Sequence, residues 1–445
     1  MTFKNKYALF ASIYGEFHFK TIIAFCRKNI FLIPVLPFVY LFKAIKYISN
    51  FIFHSACKKI CENKIKRINQ TKQVKDYIKP IALYLPQYHS IPENNKWWGE
   101  GFTEWVNVKK AKPCFSYSNG STHYQPHVPC DELSYYDLTN VDIMRQQAKL
   151  AQKFDVYGFC FYYYYFKNGK RLLEKPINNY LQAKDIKFPF CFCWANENWT
   201  RVWDGGNKDI LIDQDYSEEN ICRMIKEMIP AFKDERYIKV DGRPLLFVYR
   251  AEIITYVKKI TYIWQNIAKT NGFEKGLYLV SMQNFQEINP SKMGFDASSE
   301  FAVAYRKTNH WLNCKQLIDN KEIDRLSSYP IIMSDMDSIM RKMLFRPKKR
   351  YNRIKCVCPG WDNTPRRGMV NSALIYDSSP EGFYRFYKGA VIETIARNEN
   401  GIVMINAWNE WGEGAHLEPD KKNGYQFLEQ IYNIQNLQIK DLIAD

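Results

Sequence analysis

No apolar run in this 445-residue chain reaches the roughly 20 residues a membrane-spanning helix needs. The stretch Ile30 to Phe42 stops at 13 residues, and Lys43 and Lys46 interrupt its continuation, Ala44 to Phe53. A secretory leader is not expected from this start, which is basic and weakly hydrophobic with no small-residue cleavage pattern after the apolar section. No GxGxxG follows a strand-like run, which argues against a dinucleotide site. Cysteine is present but lacks metal-ligand spacing. Cys191 with Cys193 and Cys356 with Cys358 each lie two apart inside an apolar run, with no second cluster to complete a site. They read as reduced core thiols of a cytosolic protein, so no metal and no cofactor is expected.

Aromatic surface and positive charge, by contrast, are abundant. Aromatics make up 16% of residues, with 31 Tyr and 11 Trp, a composition suited to stacking on the flat apolar faces of sugars. The net charge of +17 is unevenly placed. Residues 1–79 carry 15 Lys and Arg against 3 acids, a net of +12, which leaves 17 − 12 = +5 for the other 366. Charge confined to an apolar N-terminal region points to an anionic membrane surface and away from a nucleic-acid groove. Residues 1–73 are therefore set apart from residues 74–445 as a basic, apolar, helical region lying in the membrane interface, or alternatively packed on the following domain. Across the boundary Cys57 to Lys79 is polar and basic and reads as a linker helix.

From Pro80 onward short apolar runs alternate with helical patterns. Candidate strands are Ile81 to Leu85, Tyr157 to Tyr162, Phe188 to Trp194, Leu245 to Tyr249, Leu277 to Ser281, Phe295 to Ser299, Ile354 to Cys358 and Ile402 to Ile405. Helices are expected over Val141 to Phe154, Arg171 to Ala183, Glu218 to Lys233, Ile253 to Lys269, Glu381 to Arg397 and Tyr425 to Ile434. Eight strands alternating with helices specify an α/β fold, a (β/α)8 TIM-type barrel with long strand-end loops; an open doubly wound sheet is the alternative.

Barrel enzymes carry their chemistry just beyond the C-terminal ends of the strands. Five such ends share one vocabulary. The first supplies Tyr88, His89, Trp98, Glu100 and Glu104; the second Tyr162 to Phe166; the third Trp194, Asn196, Glu197, Trp199, Trp203 and Asp204. The seventh supplies Trp361 and Asp362, and the eighth Asn406, Trp408, Asn409, Glu410, Trp411, Glu413 and His416. The last cluster follows an apolar run, Ile402 to Ile405, and sets two carboxylates three residues apart, interleaved with two tryptophans. Residues i and i+3 on a helical turn have Cβ atoms about 5–6 Å apart, a spacing that suits an acid and a nucleophile or base flanking a glycosidic bond. Like charge would push the two pKa values apart. Glu410 and Glu413 are thus read as the catalytic pair, with Trp408 and Trp411 as sugar-stacking walls. Glu197, in a second Asn-Glu pair, is the competing acid and otherwise a ligand for sugar hydroxyls. His89 and His416 are sugar contacts or structural groups, and Asp204 and Asp362 hydroxyl acceptors or loop caps.

The motifs LYLPQYH (Leu83 to His89), WWGEGFTEW (Trp97 to Trp105), WANENWTRVWDG (Trp194 to Gly205), PGWDNTPRR (Pro359 to Arg367) and NAWNEWGEGAHLEP (Asn406 to Pro419) resemble the WbsX-type proteins of bacterial surface-polysaccharide clusters. Those are similar in turn to the family-99 glycoside hydrolases of the endo-α-mannosidase type. The resemblance implies a metal-free (β/α)8 barrel over about Lys79 to Ile434 and a glycan substrate, free or lipid-linked. It further implies that Glu410 deprotonates a sugar 2-hydroxyl to give a 1,2-anhydro intermediate while Glu413 serves as general acid and base. Two other functions remain open. One is a nucleotide-sugar transferase, for which Asp213-Gln214-Asp215 and Asp335-Met336-Asp337 offer nonspecific DxD tripeptides; the other is a glycan-binding protein without turnover. The basic N-terminus favours glycan assembly at the inner face of the plasma membrane over secretion and degradation.

Overall fold

A computed structural model describes residues 54–114, 122–201, 206–284, 286–302, 332–335, 340, 343–367, 374–377, 379–397 and 400–444. The chain divides into two compact units, Met1–Cys57 and Lys58–Asp445. In the second, eight strands form a closed parallel barrel: β1 (Lys79–Tyr84), β2 (Gly158–Tyr165), β3 (Phe190–Trp194), β4 (Arg243–Val248), β5 (Tyr278–Gln283), β6 (Ala297–Glu300), β7 (Asn352–Val357) and β8 (Ile402–Ile405). Each pairs in parallel with its successor, and β8 returns to β1. Closure is visible at Ala82, whose partners are Phe159 on one side and Ile405 on the other. The fold is the (β/α)8 barrel that the sequence pattern predicts.

All eight expected strands form, most of them from segments apolar on both faces, as a parallel sheet wrapped by helices requires; β6 and β7 instead bury Ser298, Ser299 and Glu300 against Arg353 and Lys355, which pair with Glu300. Six surrounding helices match the expected segments: α3 (Val141–Lys153), α4 (Glu174–Gln182), α5 (Glu218–Phe232), α6 (Val257–Thr270), α7 (Pro380–Arg397) and α8 (Gln426–Gln435). Two short helices, α1 (Pro92–Trp98) and α2 (Glu104–Lys110), lie in the long loop after β1. Helix starts differ from expectation where the backbone is left-handed. Leu173 (φ 55°) precedes α4, after Arg171–Leu172 has paired with Tyr164–Tyr165, and Tyr256 (φ 54°) precedes α6. Cys191, Cys193, Cys356 and Cys358 are buried free thiols.

The linker-helix reading of residues 57–79 is corrected. Residues 58–65 are helical, burying Cys61 and Ile65, but the chain then turns and runs antiparallel to the C-terminal segment. Val74 N–H donates to the Leu437 carbonyl at 3.0 Å and Ile439 N–H to the Lys72 carbonyl at 2.9 Å. The polar Asn69, whose side chain accepts from Thr71 N–H at 3.0 Å, offers the backbone a turn in place of a helix. Among the described residues no helix is long and apolar enough to cross a membrane.

Candidate active site

The loop after β8 forms a tight turn, with Asn409–Glu410 paired to Ala415–His416 and a 3-10 turn at Trp411–Glu413 between them. Asn409 fastens it to the end of β1: its Oδ1 accepts from Leu85 N–H at 2.7 Å and its Nδ2 donates to the Leu85 carbonyl at 3.0 Å. Tyr88 pins it from behind, its hydroxyl donating to the Asn409 carbonyl and accepting from Trp411 N–H. Backbone position, and hence the direction of both glutamates, is thereby fixed by groups that never reach solvent.

At the centre stands Arg366, on the single helical turn Thr364–Arg367. Its guanidinium engages three carboxylates at once: Nε with Glu104 at 2.6 Å, Nη2 with Glu410 at 2.7 Å and Nη1 with Glu413 at 2.5 Å. A planar fork of five donors is suited to such a clamp, which an ammonium could not reproduce. Gly412 permits the approach, because a Cβ there would stand 2.1 Å from Glu104 Oε1 and 2.9 Å from Arg366 Nε. Burial opposes the charge on Arg366, but the surrounding carboxylates outweigh it and hold the group protonated. Glu410 is 5% exposed. Its burial raises the carboxyl pKa against the pull of Arg366, and the charges of Glu413 and Glu104 add to the rise, which ends at about 8. Glu410 and Glu413 are thus brought together, and Glu410 takes up a proton near neutrality.

Two adjoining cavities open over this cluster. One, of about 230 Å³, is lined by Tyr162, Tyr164, Glu197, Trp199, Tyr249, Trp361, Glu410 and Glu413 among others. The second, about 250 Å³, shares Tyr164, Asn198, Trp199, Arg366 and Glu410 with the first and extends to Trp97 and Trp98. Of the expected sugar contacts, Trp98, Glu197, Trp199 and Trp361 therefore line the cleft. Trp203 and Asp204 lie outside the described residues.

The other expected contacts do not line either cavity. Trp408 and Trp411 are 0% exposed, so they are not stacking walls. Their indole N–H groups need buried acceptors and find them in Glu418, at 3.0 and 2.6 Å. Glu418 also accepts from the Tyr136 hydroxyl at 2.7 Å and Gln147 Nε2 at 2.6 Å. Its burial outweighs these four donors and pushes its pKa up to about 7. Trp194 is core, against Trp264. Asn196 ties the end of β3 to the end of β4 through the Arg250 backbone, at 2.7 and 2.8 Å. Glu104 is fully buried and acts through Arg366, while Glu100 is exposed and accepts from Asn95 at 2.9 Å. Tyr88 and Asn409 hold the turn, and His89 is buried with Nδ1 3.1 Å from the Pro86 carbonyl. Asp362 is a loop cap, accepting from Thr364 N–H and Oγ1 at 2.9 and 2.7 Å, and it also meets His123 and Gln125 at 2.7 and 2.6 Å. Asn406 is buried under β8, and His416 stacks on Trp411 with ring centroids 3.7 Å apart.

Sequence reasoning missed Arg366, Glu418 and Tyr249. Arg366 stands inside PGWDNTPRR and Glu418 inside NAWNEWGEGAHLEP, where it is a third carboxylate in a segment otherwise rich in aromatic and apolar groups.

The family described as Glycosyltransferase WbsX matches residues 80–431. Two curated relatives, both described as Uncharacterized protein WxcX, come from Xanthomonas campestris pv. campestris strains B100 and ATCC 33913. Each is 39% identical over 351 residues, which is 78% of this chain and 48% of theirs, so the chain spans about half the length of the curated relatives it matches. Among solved structures, a glycoside hydrolase-like protein is 14% identical with a TM-score of 0.51, over 83% of this chain and 96% of that one. The GH99 endo-alpha-mannosidase from Bacteroides thetaiotaomicron is 15% identical with a TM-score of 0.48, over 82% and 98%. At such identities the first likeness is one of fold alone.

Proposed function

The chain belongs to the WbsX glycosyltransferase family, and from that premise we propose that it is a carbohydrate-active enzyme of polysaccharide biosynthesis, making or breaking a glycosidic bond at an α-mannose-like residue. Its catalytic pair is Glu410 and Glu413. The observation that carries this reading is the sharing of one guanidinium by both carboxylates beneath an aromatic cleft, with one of them desolvated. A carboxylate whose proton affinity has risen to about 8 is a stronger base than an ordinary glutamate.

In the first step Glu410, in the ionised fraction that a pKa of about 8 leaves at neutral pH, takes the proton of the 2-hydroxyl. That oxygen attacks C1 while Glu413 gives its proton to the departing glycosidic oxygen, leaving a 1,2-anhydro sugar. In the second, Glu413 removes a proton from an acceptor hydroxyl, which opens the ring at C1, and Glu410 returns its proton to O2. Two inversions give net retention. Water as acceptor gives hydrolysis and a sugar hydroxyl gives synthesis. The glycan is an oligosaccharide or polysaccharide, and the basic residues 1–73 would hold the enzyme to an anionic membrane carrying a lipid-linked form of it.

Substitution with an activated donor separates the two roles. Fluoride departs from α-mannosyl fluoride with little need of an acid, so Glu413→Gln should retain its first step on the fluoride yet lose it on an α-mannoside. Glu410→Gln should lose both and keep glycan binding. Unchanged turnover in either variant on the α-mannoside would sink the assignment.

A nucleotide-sugar transferase is the second reading. It is favoured by the position of Asp213-Gln214-Asp215 beside the cleft, where Gln214 N–H donates to Asn198 at 2.7 Å and Gln214 Nε2 to the Glu197 carbonyl at 3.2 Å. Isothermal titration with nucleoside-diphosphate sugars decides it: saturable binding supports the transferase, and none supports the glycosidase-like route.

A further inference from the structure

His127, His416 and Asp420 converge from two loops, and none of them lines either cavity. The backbone brings them together. Lys421 N–H donates to the Val128 carbonyl at 2.9 Å and Cys130 N–H to the Pro419 carbonyl at 3.0 Å, so the loop ahead of α3 lies along the segment that follows the β8 turn. One ligand atom from each side chain lies within 4.8 Å of the other two. The orientation of His416 is set on two sides. Its ring stacks on Trp411, and its Nδ1 is 2.9 Å from the Glu418 carbonyl. A carbonyl can only accept, so Nδ1 carries the proton and Nε2 presents a lone pair, the arrangement of a metal-binding imidazole. That lone pair faces His127 Nδ1 at 2.9 Å and Asp420 Oδ2 at 3.9 Å.

A hydrogen bond between the two rings satisfies the imidazoles but not the carboxylate. Asp420 is 3% exposed and, among the described residues, accepts from Asn423 alone, its N–H at 2.5 Å and its Nδ2 at 3.2 Å. Its ion-pair partner there is His416, beyond hydrogen-bond reach. A buried carboxylate without a close cation is costly. The two rings stand 5.2 Å apart between centroids, with planes at 83°. Two imidazoles holding one tetrahedral zinc at about 2.0–2.1 Å have centroids about 5 Å apart, so an ion enters by tilting the rings without parting them. His127 is half-buried, which leaves a side open for entry and for a water as fourth ligand. No cysteine takes part, and the two histidines are 289 residues apart, so cysteine spacing carried no sign of the cluster.

We propose that His127, His416 and Asp420 bind a divalent cation of the zinc type, a clasp that fastens the loop ahead of α3 to the turn carrying Glu410. Two imidazoles and a carboxylate are a donor set suited to that ion. The site does not depend on the roles of Glu410 and Glu413.

The test uses full-length protein stripped with a chelator and kept reduced with a phosphine, titrated calorimetrically with ZnCl2 and in parallel with CoCl2 under visible absorption. Wild type should bind one equivalent of zinc with a Kd in the micromolar range or below. His127→Gln and Asp420→Asn should each raise the Kd of that equivalent about hundredfold or more, and zinc should raise the melting temperature of wild type but of neither variant. The cobalt equivalent lost in the variants should show the strong visible bands of a four-coordinate ion and no thiolate charge transfer, which sets it apart from binding by the chain's 12 cysteines. Should a variant fail to fold, zinc-edge anomalous diffraction from wild-type crystals locates the ion directly. No zinc binding by wild type, an unchanged Kd in either variant, a thiolate band on that equivalent, or an ion found elsewhere would each overturn the site and leave His127 and His416 as a hydrogen-bonded pair.

Discussion

Replacing Glu410 with glutamine should alter how stability depends on pH, in a direction the geometry dictates. The carboxyl rises from 4.5 to about 8 on folding because burial disfavours its charge more than Arg366 restores it. A folded pKa above the unfolded one means the native state holds the proton more tightly. The associated stability is fully present below pH 4.5 and is lost as pH rises through about 8. At about 1.4 kcal/mol per unit, the wild type gives up on the order of 3 kcal/mol by pH 7 and about 5 kcal/mol by pH 9 from this group. Glutamine keeps the shape and does not titrate. The stability of Glu410→Gln relative to wild type should therefore climb by about 4 kcal/mol between pH 5 and pH 9. Urea unfolding followed by tryptophan fluorescence at pH 5, 7 and 9 measures it. The rise in Glu418 affects both proteins alike and cancels in the difference. A difference that stays constant from pH 5 to 9 would show that Glu410 is ionised and solvated in the folded protein, and the basis for its role as a tuned base would be gone.

Glu418→Ala leaves two indoles, a tyrosine and a glutamine without their buried acceptor, and should lower stability by about 3–5 kcal/mol in the same unfolding assay. A loss below about 1 kcal/mol would mean those donors find other acceptors. Gly412→Ala forces a methyl group against Glu104 and Arg366, so turnover should fall at least about tenfold while far-UV dichroism stays native; unimpaired turnover would show that the clamp tolerates displacement. A protein of residues 58–445 should melt like the full chain but no longer sediment with phosphatidylglycerol vesicles, and unchanged sedimentation would end the membrane proposal. Removing residues 1–73 instead should also cost stability, because Cys61, Ile65 and the Lys72–Ile439 hydrogen bond go with them.

The barrel was legible because a parallel strand buried on both faces tends to write itself as an apolar run, and most of the eight did so; Phe295 to Ser299 (FDASS) and Ile354 to Cys358 (IKCVC) were the weaker signals. Their edges shifted by a few residues, since hydrogen bonding continues past the last apolar side chain, as in β2 through Tyr165. Helix starts at Leu173 and Tyr256 were illegible because nothing in either residue type announces a left-handed backbone. The site was half legible. Glu410 and Glu413 declared themselves by type and spacing. Arg366 did not, because an arginine in Pro-Arg-Arg reads as a solvated loop charge, and its partner Glu104 lies 262 residues away. Trp408 and Trp411 misled for a related reason: a tryptophan that stacks on sugar and one anchored in the core are the same letter. What separates them is a buried acceptor, which Glu418 provides only once Tyr136 and Gln147 have been folded against it from distant parts of the chain.

That correction changes what the two tryptophans contribute. Had they faced the cleft they would have bound sugar and left Glu410 open to water. Packed inward on Glu418, with Trp411 further covered by Trp105 and His416, they make the turn that carries Glu410 rigid from behind. Desolvation is the largest influence on Glu410, larger than the charge of Arg366 or of either neighbouring carboxylate. A mobile or hydrated turn would let that carboxyl relax toward an ordinary glutamate, too weak a base to draw a proton from a sugar hydroxyl. In the proposed reaction the aromatic pair would serve the chemistry through exclusion of water, while the cavity wall is supplied by Trp97, Trp98 and Trp199 on the loops after β1 and β3. Tryptophans are thus divided at these strand ends between fully buried ones that back the turn and half-buried ones that line the cavities.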